Sequence, residues 1–348
     1  MLNLEVKEWR EFIVGETFEV LNSKPYHKKD LKISDNFKNS IPYISRTNKN
    51  NGVEEIIQNE KKFKPNKRNT IAFGAENATF FLQPFEYISG NKIYTINHKK
   101  INKYNGLFLQ QSLNKSIKDC GFSYGQGLTG TRAKRRSVLI PTNKELEPDF
   151  EYMENYTKLI INKKLEDYKK YAKKMLSNLQ YKEIEPLEKK KWMSFKIYDI
   201  FSYQRGKRQI EANRKKGNIP YYSASQINNG LTDFISNPTF KIETNAIIYS
   251  TFGDAYYVEK GFSTSDEITI LTNNKLNKFN GLFIINSINQ NKSKYSFGRK
   301  AFSNKISKDK IMLPIKNGKP DYDYMEEYIK NLLYKKINQY LNYLEKKN

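Results

Sequence analysis

The chain carries an internal duplication, and this feature restricts its fold more than any other. Five blocks of sequence recur in the same order, and the offset between the copies changes by only a few residues from block to block. The paired blocks are 9–18 with 192–201, 41–52 with 219–230, 105–108 with 280–283, 122–125 with 295–298, and 148–154 with 320–326. The repeat is too long for a solenoid unit, so it predicts two copies of one domain.

Each copy has the same predicted order of elements. A short strand follows the tryptophan block, Ile-Pro-Tyr opens another strand, and Asn-Gly marks a turn. Runs of β-branched and aromatic residues at 70–73 and 246–249 predict further strands, as does the alternation at 92–96 and 267–271. The Asn-Gly-Leu-Phe block then starts a helix, predicted over 107–117 and 282–288. The fold class is therefore α/β (α+β), with a mixed sheet and helices in each of two tandem domains.

Each copy ends in a long helix whose apolar residues are spaced by four and three in alternation. Asp149 and Asp321 occupy the predicted N-cap positions, and Pro186 is expected to end the first helix. The spacing is typical of a coiled-coil seam, so the helices are predicted to pair antiparallel, with pseudo-twofold symmetry. The alternative is an ordinary amphipathic helix packed on its own domain. The predicted helix-pairing residues are Ile161, Leu165, Tyr168, Met175, Leu179, Leu333, Ile337, Tyr340 and Leu344.

The charge balance indicates a polyanionic partner. Lys and Arg number 61 against 37 Asp and Glu, which gives a formal net charge of +24, and cations that contact phosphates gain by releasing condensed counterions. The alternative is a Lys- and Asn-rich compositional bias with no nucleic acid involved. A single cysteine, Cys120, fits a reducing compartment. The beginning of the chain lacks an apolar signal region and no apolar run could span a bilayer, so we expect a cytoplasmic protein with no membrane partner.

Catalytic and metal-binding motifs are missing from the sequence. His27, His98 and Cys120 are the complete set of histidines and cysteines, too few for a His-rich or thiolate zinc site. There is no phosphate-binding loop, and 237–240 (Asn-Pro-Thr-Phe) is a turn rather than a methyltransferase motif. Residues 188–190 could form part of a nuclease site, but they lie in a charged linker. We therefore predict no catalytic residues, no metal and no cofactor in this chain.

The polar loops are the candidate DNA contacts, because they differ between the copies while the apolar blocks are kept. Arg can read guanine and Asn or Gln can read adenine, whereas Lys mostly contacts phosphate. The alternative for any one residue is a solvated loop side chain, or, in 131–136, a cation that caps the preceding helix. The candidates are Ser45, Arg46, Asn48, Asn51, Arg132, Lys134, Arg135, Arg205, Lys207, Arg208, Ser225, Gln226, Asn228, Lys300 and Asn304.

With these features the chain resembles the specificity (S) subunits of type I restriction-modification systems, and most closely the compact S subunits of systems that cut on both sides of their site. The motif Trp-x-x-Phe-x-Ile/Val-x-x-x-Phe opens both copies, and 295–298, 313–314 and 320–326 are also similar to the family. The resemblance implies target recognition domains at 1–148 and 187–320. It also implies spacer helices at 149–186 and 321–348.

The resemblance further implies a non-catalytic subunit that recognises a bipartite, asymmetric site in double-stranded DNA. Such a subunit recruits DNA adenine methyltransferase subunits, together with a restriction subunit or a nuclease fused to the methyltransferase. S-adenosylmethionine, Mg²⁺ and any ATP would then belong to those partners. Two alternatives stay open at this point: a stand-alone DNA nuclease with an unrecognised site, and a non-specific nucleic-acid-binding scaffold.

Overall fold

The computed structural model describes residues 7–36, 38–123, 125–240 and 244–347. Tyr124, which belongs to the fourth repeated block, lies outside these residues. The chain separates into two compact units, residues 1–168 and 169–348. The boundary between the units lies inside a long helix, so the domain limits inferred from the sequence stay predictions.

The first unit contains nearly all of the first copy of the repeat. Its strands and helices, in chain order over the described residues, are β1 (Trp9–Ile13), α1 (Val14–Thr17), β2 (Glu19–Asn22), β3 (Ser40–Ile44), β4 (Val53–Gln58), β5 (Thr70–Gly74), β6 (Phe80–Gln83), β7 (Ile88–Ser89), β8 (Ile93–Asn97), α2 (Lys103–Ser116), α3 (Gly130–Lys134), β9 (Ser137–Pro141) and α4 (Phe150–Ser177). The end of α4 belongs to the second unit.

The second unit repeats this order. Its strands and helices over the described residues are β10 (Trp192–Lys196), α5 (Ile197–Ile200), β11 (Ser202–Arg205), β12 (Lys216–Tyr222), β13 (Leu231–Ile235), β14 (Ala246–Ser250), β15 (Ala255–Val258), β16 (Ser263–Thr264), β17 (Ile268–Thr272), α6 (Lys278–Asn289), α7 (Ser303–Ile306), β18 (Lys310–Lys316), β19 (Lys319–Pro320) and α8 (Tyr322–Lys347).

The sheets of the two units have the same topology, which confirms the duplication read from the sequence. A four-stranded antiparallel sheet has the order β2-β8-β5-β6 in the first unit and β11-β17-β14-β15 in the second. A smaller sheet has the orders β4-β3-β7 and β13-β12-β16, and its last pair is parallel in both units. β1 also pairs with β9 and β10 with β18, and in the second unit the short strand β19 adds a third strand to this sheet.

The interior strands of the four-stranded sheets form the centre of each core. All five residues of β5 are buried, and so are all five of β14, because helices and neighbouring strands cover both faces. In the first unit the core extends from β5 to α2 and β9, and in the second from β14 to α6 and β18. These strands were predicted from their β-branched and aromatic residues, and the structure confirms them.

The Asn-Gly-Leu-Phe block has a structural reason that the sequence reading missed. The helix begins at Lys103, four residues before the predicted start, because Asn102 is the N-cap and Asn105 completes a capping box. The side chain of Asn102 accepts from Tyr104 N at 2.8 Å and from Asn105 N at 3.1 Å. The helix of the second copy begins at Lys278 rather than 282 for the same reason. The block therefore forms the first turn of each helix.

The block Pro-Asp-x-x-Tyr-Met-Glu fixes the start of each long helix. Asp149 Oδ1 accepts a hydrogen bond from Tyr152 N at 2.9 Å, so the predicted N-cap is confirmed. Further along this turn, Asn102 Nδ2 donates to Glu154 Oε2 at 2.5 Å, which joins α4 to the N-terminus of α2. The second copy repeats both contacts: Asp321 caps α8, and the amide of Asn277 donates to Glu326 at 2.6 Å.

The first long helix ends at Ser177, well before Pro186, so the expectation that this proline ends it is wrong. Leu179 is buried but lies beyond the helix end. The segment after the helix is held instead by Asn331, whose side chain exchanges hydrogen bonds with the backbone of Lys182 at 3.0 and 2.6 Å. A tertiary contact, rather than proline, therefore directs the chain away from the helix.

The other predicted seam residues differ in burial. Ile337 and Leu344 are buried, whereas Tyr340 is exposed. Ile161, Leu165, Tyr168, Met175 and Leu333 are half-buried. The antiparallel pairing of the two long helices stays a prediction. Among the described residues, no helix is both long enough and apolar enough to cross a membrane.

Candidate nucleic-acid interface

In both units the loops that diverged between the copies meet at the turn after the interior strand of the four-stranded sheet. In the first unit the carbonyl of Ala75, just after β5, accepts a hydrogen bond from Leu128 N at 2.7 Å. In the second unit the carbonyl of Thr251, just after β14, accepts one from Ala301 N at 2.8 Å. The basic loops of both copies are therefore fixed against the same turn by the same bond.

The loops that follow the Ile-Pro-Tyr strands, 45–52 and 223–230, have one shape. In each, the amide of the first residue donates to the carbonyl of the last, at 3.0 and 2.9 Å. Asn51 (φ 57°) and Asn228 (φ 51°) adopt left-handed backbone conformations, which asparagine tolerates better than most residues. Asn51 also donates its amide to Leu82 O at 2.8 Å, so this candidate holds its own loop in place, while Asn228 is exposed.

Serine hydroxyl groups stabilise the turns in the middle of these loops by accepting backbone hydrogen bonds. Ser45 Oγ accepts from Thr47 N at 3.3 Å, and Ser225 Oγ accepts from Ile227 N at 3.2 Å. Such side-chain turns order a loop without a regular ladder of backbone bonds. Asn48 lies beside these turns and is exposed.

Arg46 is held over the turn of the first unit. Its guanidinium pairs with Glu76, and Lys92 Nζ donates to the same carboxylate at 3.1 Å. These two hydrogen bonds, with that of Lys92 the larger cause, hold the pKa of the Glu76 carboxyl below its usual range. Gly74 permits the approach, because a Cβ there would lie 3.0 Å from Arg46 Cγ.

The basic cluster of the first unit is divided between two roles. Arg132, Lys134 and Arg135 belong to the short helix α3 or its C-cap and are exposed. Arg132 also donates to Gly127 O at 2.8 Å. Arg136 points elsewhere and donates to Ser116 O, the last carbonyl of α2, at 3.1 Å. Arg136 therefore caps a helix, as the sequence reading allowed for part of this cluster, and the other three stay candidates for DNA contact.

In the second unit the dipeptide Asp266-Glu267 holds two cations. Arg205 Nε donates to the carbonyl of Asp266 at 2.5 Å, and Lys300 Nζ lies 2.5 Å from Glu267 Oε1. Arg205 also lies over the ring of Phe302, 5.2 Å from its centroid. These acceptors, one carbonyl and one carboxylate, come from the loop before β17, whereas in the first unit the carboxylate of Glu76 comes from the turn after β5.

The remaining candidates of the second unit fall into two places. Gln226 Nε2 donates to the buried carboxylate of Asp254 at 3.3 Å, in the same turn that anchors the basic loop. Asn304, on α7, borders a shallow depression together with Arg205. Lys207 and Arg208 are exposed, and Arg208 lines a different depression with 209–210 and 213. Arg205 and Asn304 thus border one depression, and Arg205 and Lys300 are held by one dipeptide. These contacts do not join Gln226, Lys207 or Arg208 to them.

Three residues hold the base of each basic loop. They occupy equivalent positions in the two units, but the residue types differ between the units. In the second unit the hydroxyls of Tyr249 and Tyr295 both donate to Asp309 Oδ2, at 3.1 and 2.7 Å. Burial and then the neighbouring carboxylate of Asp309 raise the pKa of both Tyr249 and Tyr295, so both hydroxyls stay protonated. The first unit has Phe73, Phe122 and Arg136 at these positions, and the guanidinium of Arg136 lies 6.0 Å from the Phe122 centroid.

A second repeated surface, which we call the aromatic face, lies on the side of each unit formed by the first strand, the capped helix and the long helix. In the first unit Trp9 stacks on Phe108 with centroids 5.8 Å apart, and Tyr156 meets Phe108 edge-on at 5.9 Å. The exposed Leu139 completes this face, which lines a groove of about 670 Å³.

The second unit repeats the aromatic face with the same geometry. Trp192 stacks on Phe283 at 6.0 Å, and Tyr328 meets Phe283 edge-on at 5.5 Å. Met312 stands at the position of Leu139, and the side chains are 48% and 51% exposed. An apolar patch kept in both copies is typical of a protein-binding surface.

The pairings of three carboxylates were missed by the sequence reading. Glu76, Asp254 and Glu267 orient candidate cations or amides, yet each comes from a segment far along the chain from the group it holds. Spacing along the sequence therefore gives no signal for them. Within the part of the chain that the structure describes, no group of three or more His, Cys, Asp or Glu side chains is placed to hold a metal ion.

Known proteins match both copies of the repeat. Residues 6–169 and 189–343 each match the family described as type I restriction modification DNA specificity domain. The chain is 30% identical over 330 residues to the specificity subunit S.BcgI of a type II restriction enzyme from Heyndrickxia coagulans, covering 92% of this chain and 94% of that protein. The crystal structure of a type I restriction-modification S subunit from M. genitalium shares the fold, with a TM-score of 0.54 at 18% identity, covering 99% and 94% of the two chains.

The match of both copies and the 30% identity along nearly the full length settle the class of the protein. They confirm the resemblance drawn from the duplicated motifs and set aside the alternative of a stand-alone nuclease, since the relatives are specificity subunits rather than catalytic ones. The chain belongs to the family of type I restriction-modification DNA specificity subunits, with one specificity domain in each half.

Proposed function

We propose that the two units read two unlike halves of one bipartite site in double-stranded DNA. The observation that supports this is that the two units share an anchoring turn but hold different arginines near it. The same hydrogen bond anchors the basic loop in both units, but Glu76 holds Arg46 in the first unit and Asp266 holds Arg205 in the second. A shared scaffold gives both units the same approach to DNA, and different loop chemistry gives them different bases.

The cations at the turns are the proposed base readers. A guanidinium oriented by a carboxylate or by a backbone carbonyl keeps other N–H groups for a guanine, which arginine binds through two hydrogen bonds. Gln226 and Asn48 carry amides suited to adenine. Arg132, Lys134 and Arg135, exposed at the end of a short helix, are better suited to phosphates, which set register rather than sequence.

We further propose that the aromatic face binds DNA methyltransferase subunits, one on each unit. A subunit that itself lacks catalytic groups must recruit the enzyme that modifies its site, and two equivalent faces fit two copies of one partner. S-adenosylmethionine, Mg²⁺ and any ATP would be bound by these partners and by a separate or fused restriction subunit. The complete assembly would act on DNA in the cytoplasm.

Mapping of methylated bases in genomic DNA tests the reading of two half-sites. The host would carry the partner genes with the wild-type subunit, with no subunit, or with one of two variants, Arg46→Ala and Arg205→Ala. We expect methylation to depend on the subunit and to occur at two specified stretches separated by unspecified bases. Loss of one oriented arginine should relax a position in one stretch only, at roughly 1–3 kcal/mol of discrimination.

The two variants serve as controls for each other, because each unit carries one. A continuous recognition sequence, or relaxation of the same stretch by both variants, would contradict the proposal. Methylation that continues unchanged without the subunit would contradict it as well.

A further inference from the structure

The most exposed large apolar side chain among the described residues is Phe297, at 84%. It occupies the tip of a hairpin with only two residues in the turn. Ser296 and Arg299 close this hairpin with two backbone hydrogen bonds, of 3.0 and 3.4 Å. A single exposed apolar residue needs no explanation by itself, but three further observations concern this one.

Hydrogen bonds hold both ends of the hairpin in place, although its tip is exposed. Tyr295, just before the hairpin, donates its hydroxyl to Asp309 at 2.7 Å, and Ala301, just after it, donates its amide to Thr251 O at 2.8 Å. Phe297 is therefore presented by a fixed support. Exposing this phenylalanine gives up the free energy of burying its side chain, about 1.5–3 kcal/mol. Because the support is fixed, the ring cannot fold back onto a neighbouring surface.

Positive charge surrounds the tip. Lys300 Nζ lies 5.6 Å from the centroid of the Phe297 ring, and Arg299 is exposed next to it. Arg205 reaches the same loop by stacking on Phe302. An apolar tip among cations suits a surface that is anionic outside and aromatic inside, which describes duplex DNA rather than an apolar protein groove.

The same device is present in the first copy. Ser123 and Gln126 exchange backbone hydrogen bonds of 3.3 and 3.1 Å, so they close an equivalent two-residue turn. The sequence places another aromatic residue, Tyr124, at the position of Phe297; its own structure is outside the described residues. An aromatic residue is thus kept at this sequence position, while the flanking polar residues differ between the copies.

We infer that Phe297 is a wedge that inserts at a base step of the half-site bound by the second unit and partly unstacks it. Apolar side chains that insert between base pairs unstack and kink the duplex, and the protein gains contacts along the bent DNA. The ease of opening depends on the step, with pyrimidine–purine steps the easiest. Phe297 would therefore add selectivity at a base step that the subunit does not read through hydrogen bonds. The inference rests on the proposal that these loops face DNA.

The test uses the complex with its methyltransferase subunits and duplexes of the recognised site in which 2-aminopurine replaces one base at a time. Unstacking raises the fluorescence of this base. We expect a position in the second half-site that brightens with the wild-type subunit and not with Phe297→Ala, and roughly tenfold weaker binding of that variant. Phe297→Leu and Phe297→Trp keep an apolar wedge and should keep the signal. A position that brightens equally in all variants reports the partner's action on its target base.

Phe85→Ala is the matched control, because Phe85 is 71% exposed and lies in the other unit; it should leave the signal unchanged. Lys300→Ala tests separately whether the loop faces DNA. If it weakens binding while no position depends on Phe297, the proposed function stands and the wedge is wrong. If neither variant changes binding or fluorescence, both are wrong. A Phe297-dependent position supports the wedge whatever the effect of Lys300→Ala.

Discussion

At the scale of single residues, glycines decide how closely the capped helices approach their sheets. Gly106 packs α2 against β6, and a Cβ at this position would lie 2.5 Å from Leu82 Cδ1. Leu82 is itself buried in the core of the first unit, so it has little room to move. The glycine of the repeated Asn-Gly-Leu-Phe block is thus explained by packing, and the asparagine before it by capping.

Gly106→Ala should destabilise the first unit by about 1–3 kcal/mol. Alanine gains up to ~1 kcal/mol of helix propensity, but overpacking a filled core costs more. Gly298→Ala is the control, since no atom lies within 4 Å of a Cβ built there, and it should change stability by less than about 0.5 kcal/mol. Urea unfolding curves of both variants measure the difference. An unchanged midpoint for Gly106→Ala would mean that Leu82 moves aside freely.

At the scale of elements, the short helix α3 is the most concentrated source of exposed positive charge in the first unit's loops. Thr129 caps it by accepting from Arg132 N at 3.4 Å, and Gly130 lets it rest on β8, where a Cβ would lie 2.9 Å from the ring of Tyr94. The helix is thus a fixed platform for Arg132, Lys134 and Arg135, although it is too short to be stable alone.

Replacing Arg132, Lys134 and Arg135 with glutamine should weaken DNA binding by the complex and flatten its salt dependence. Each lost phosphate contact lowers the slope of log K against log salt by about 0.9, so we expect a change of up to roughly 3. The control replaces three exposed lysines of α4, at 163, 164 and 170. Equal slopes for the wild type and the α3 variant, measured by anisotropy titrations, would assign these cations a structural role.

At the scale of the whole molecule, duplication means that each unit carries both a diverged polar surface and a conserved apolar one. The loops that form the polar surface meet at the turns after β5 and β14. The apolar surface is the aromatic face. The apolar surface is alike in the two units, which suits one protein partner that binds both. The polar surface differs between them, which suits two different DNA half-sites.

The aromatic face gives a prediction about stoichiometry. Leu139→Glu should remove one methyltransferase subunit from the complex and Met312→Glu the other, because a buried unpaired carboxylate is costly in an apolar interface. The double variant should bind neither. Native mass spectrometry counts the subunits, and Leu21→Glu, on β2 at a side chain of 46% exposure, is the control. Two copies retained by both single variants would move the partner to another surface.

The fold could be predicted from the sequence further than the site could. Repeated blocks and β-branched runs indicated the duplicated mixed domains, and Asp149 and Asp321 were identified as caps. The start of α2 was misplaced because its cap, Asn102, precedes the repeated block, and the end of α4 was misplaced because the helix ends at Ser177, well before Pro186. The pairing of Glu76 with Arg46 and of Glu267 with Lys300 could not be predicted, because tertiary structure alone brings these groups together.

The fastening of the basic loops restricts how genes for such subunits can recombine. Tyr249, Tyr295 and Asp309 depend on one another, since exchange of Asp309 for the arginine of the other copy would leave one buried and one half-buried hydroxyl facing a cation without an acceptor. A crossover between the two halves of the gene that falls inside this set would therefore yield a chain with a poorly anchored loop. Exchange of an entire half keeps the set intact, so new pairings of half-sites are expected to arise by transfer of whole domains.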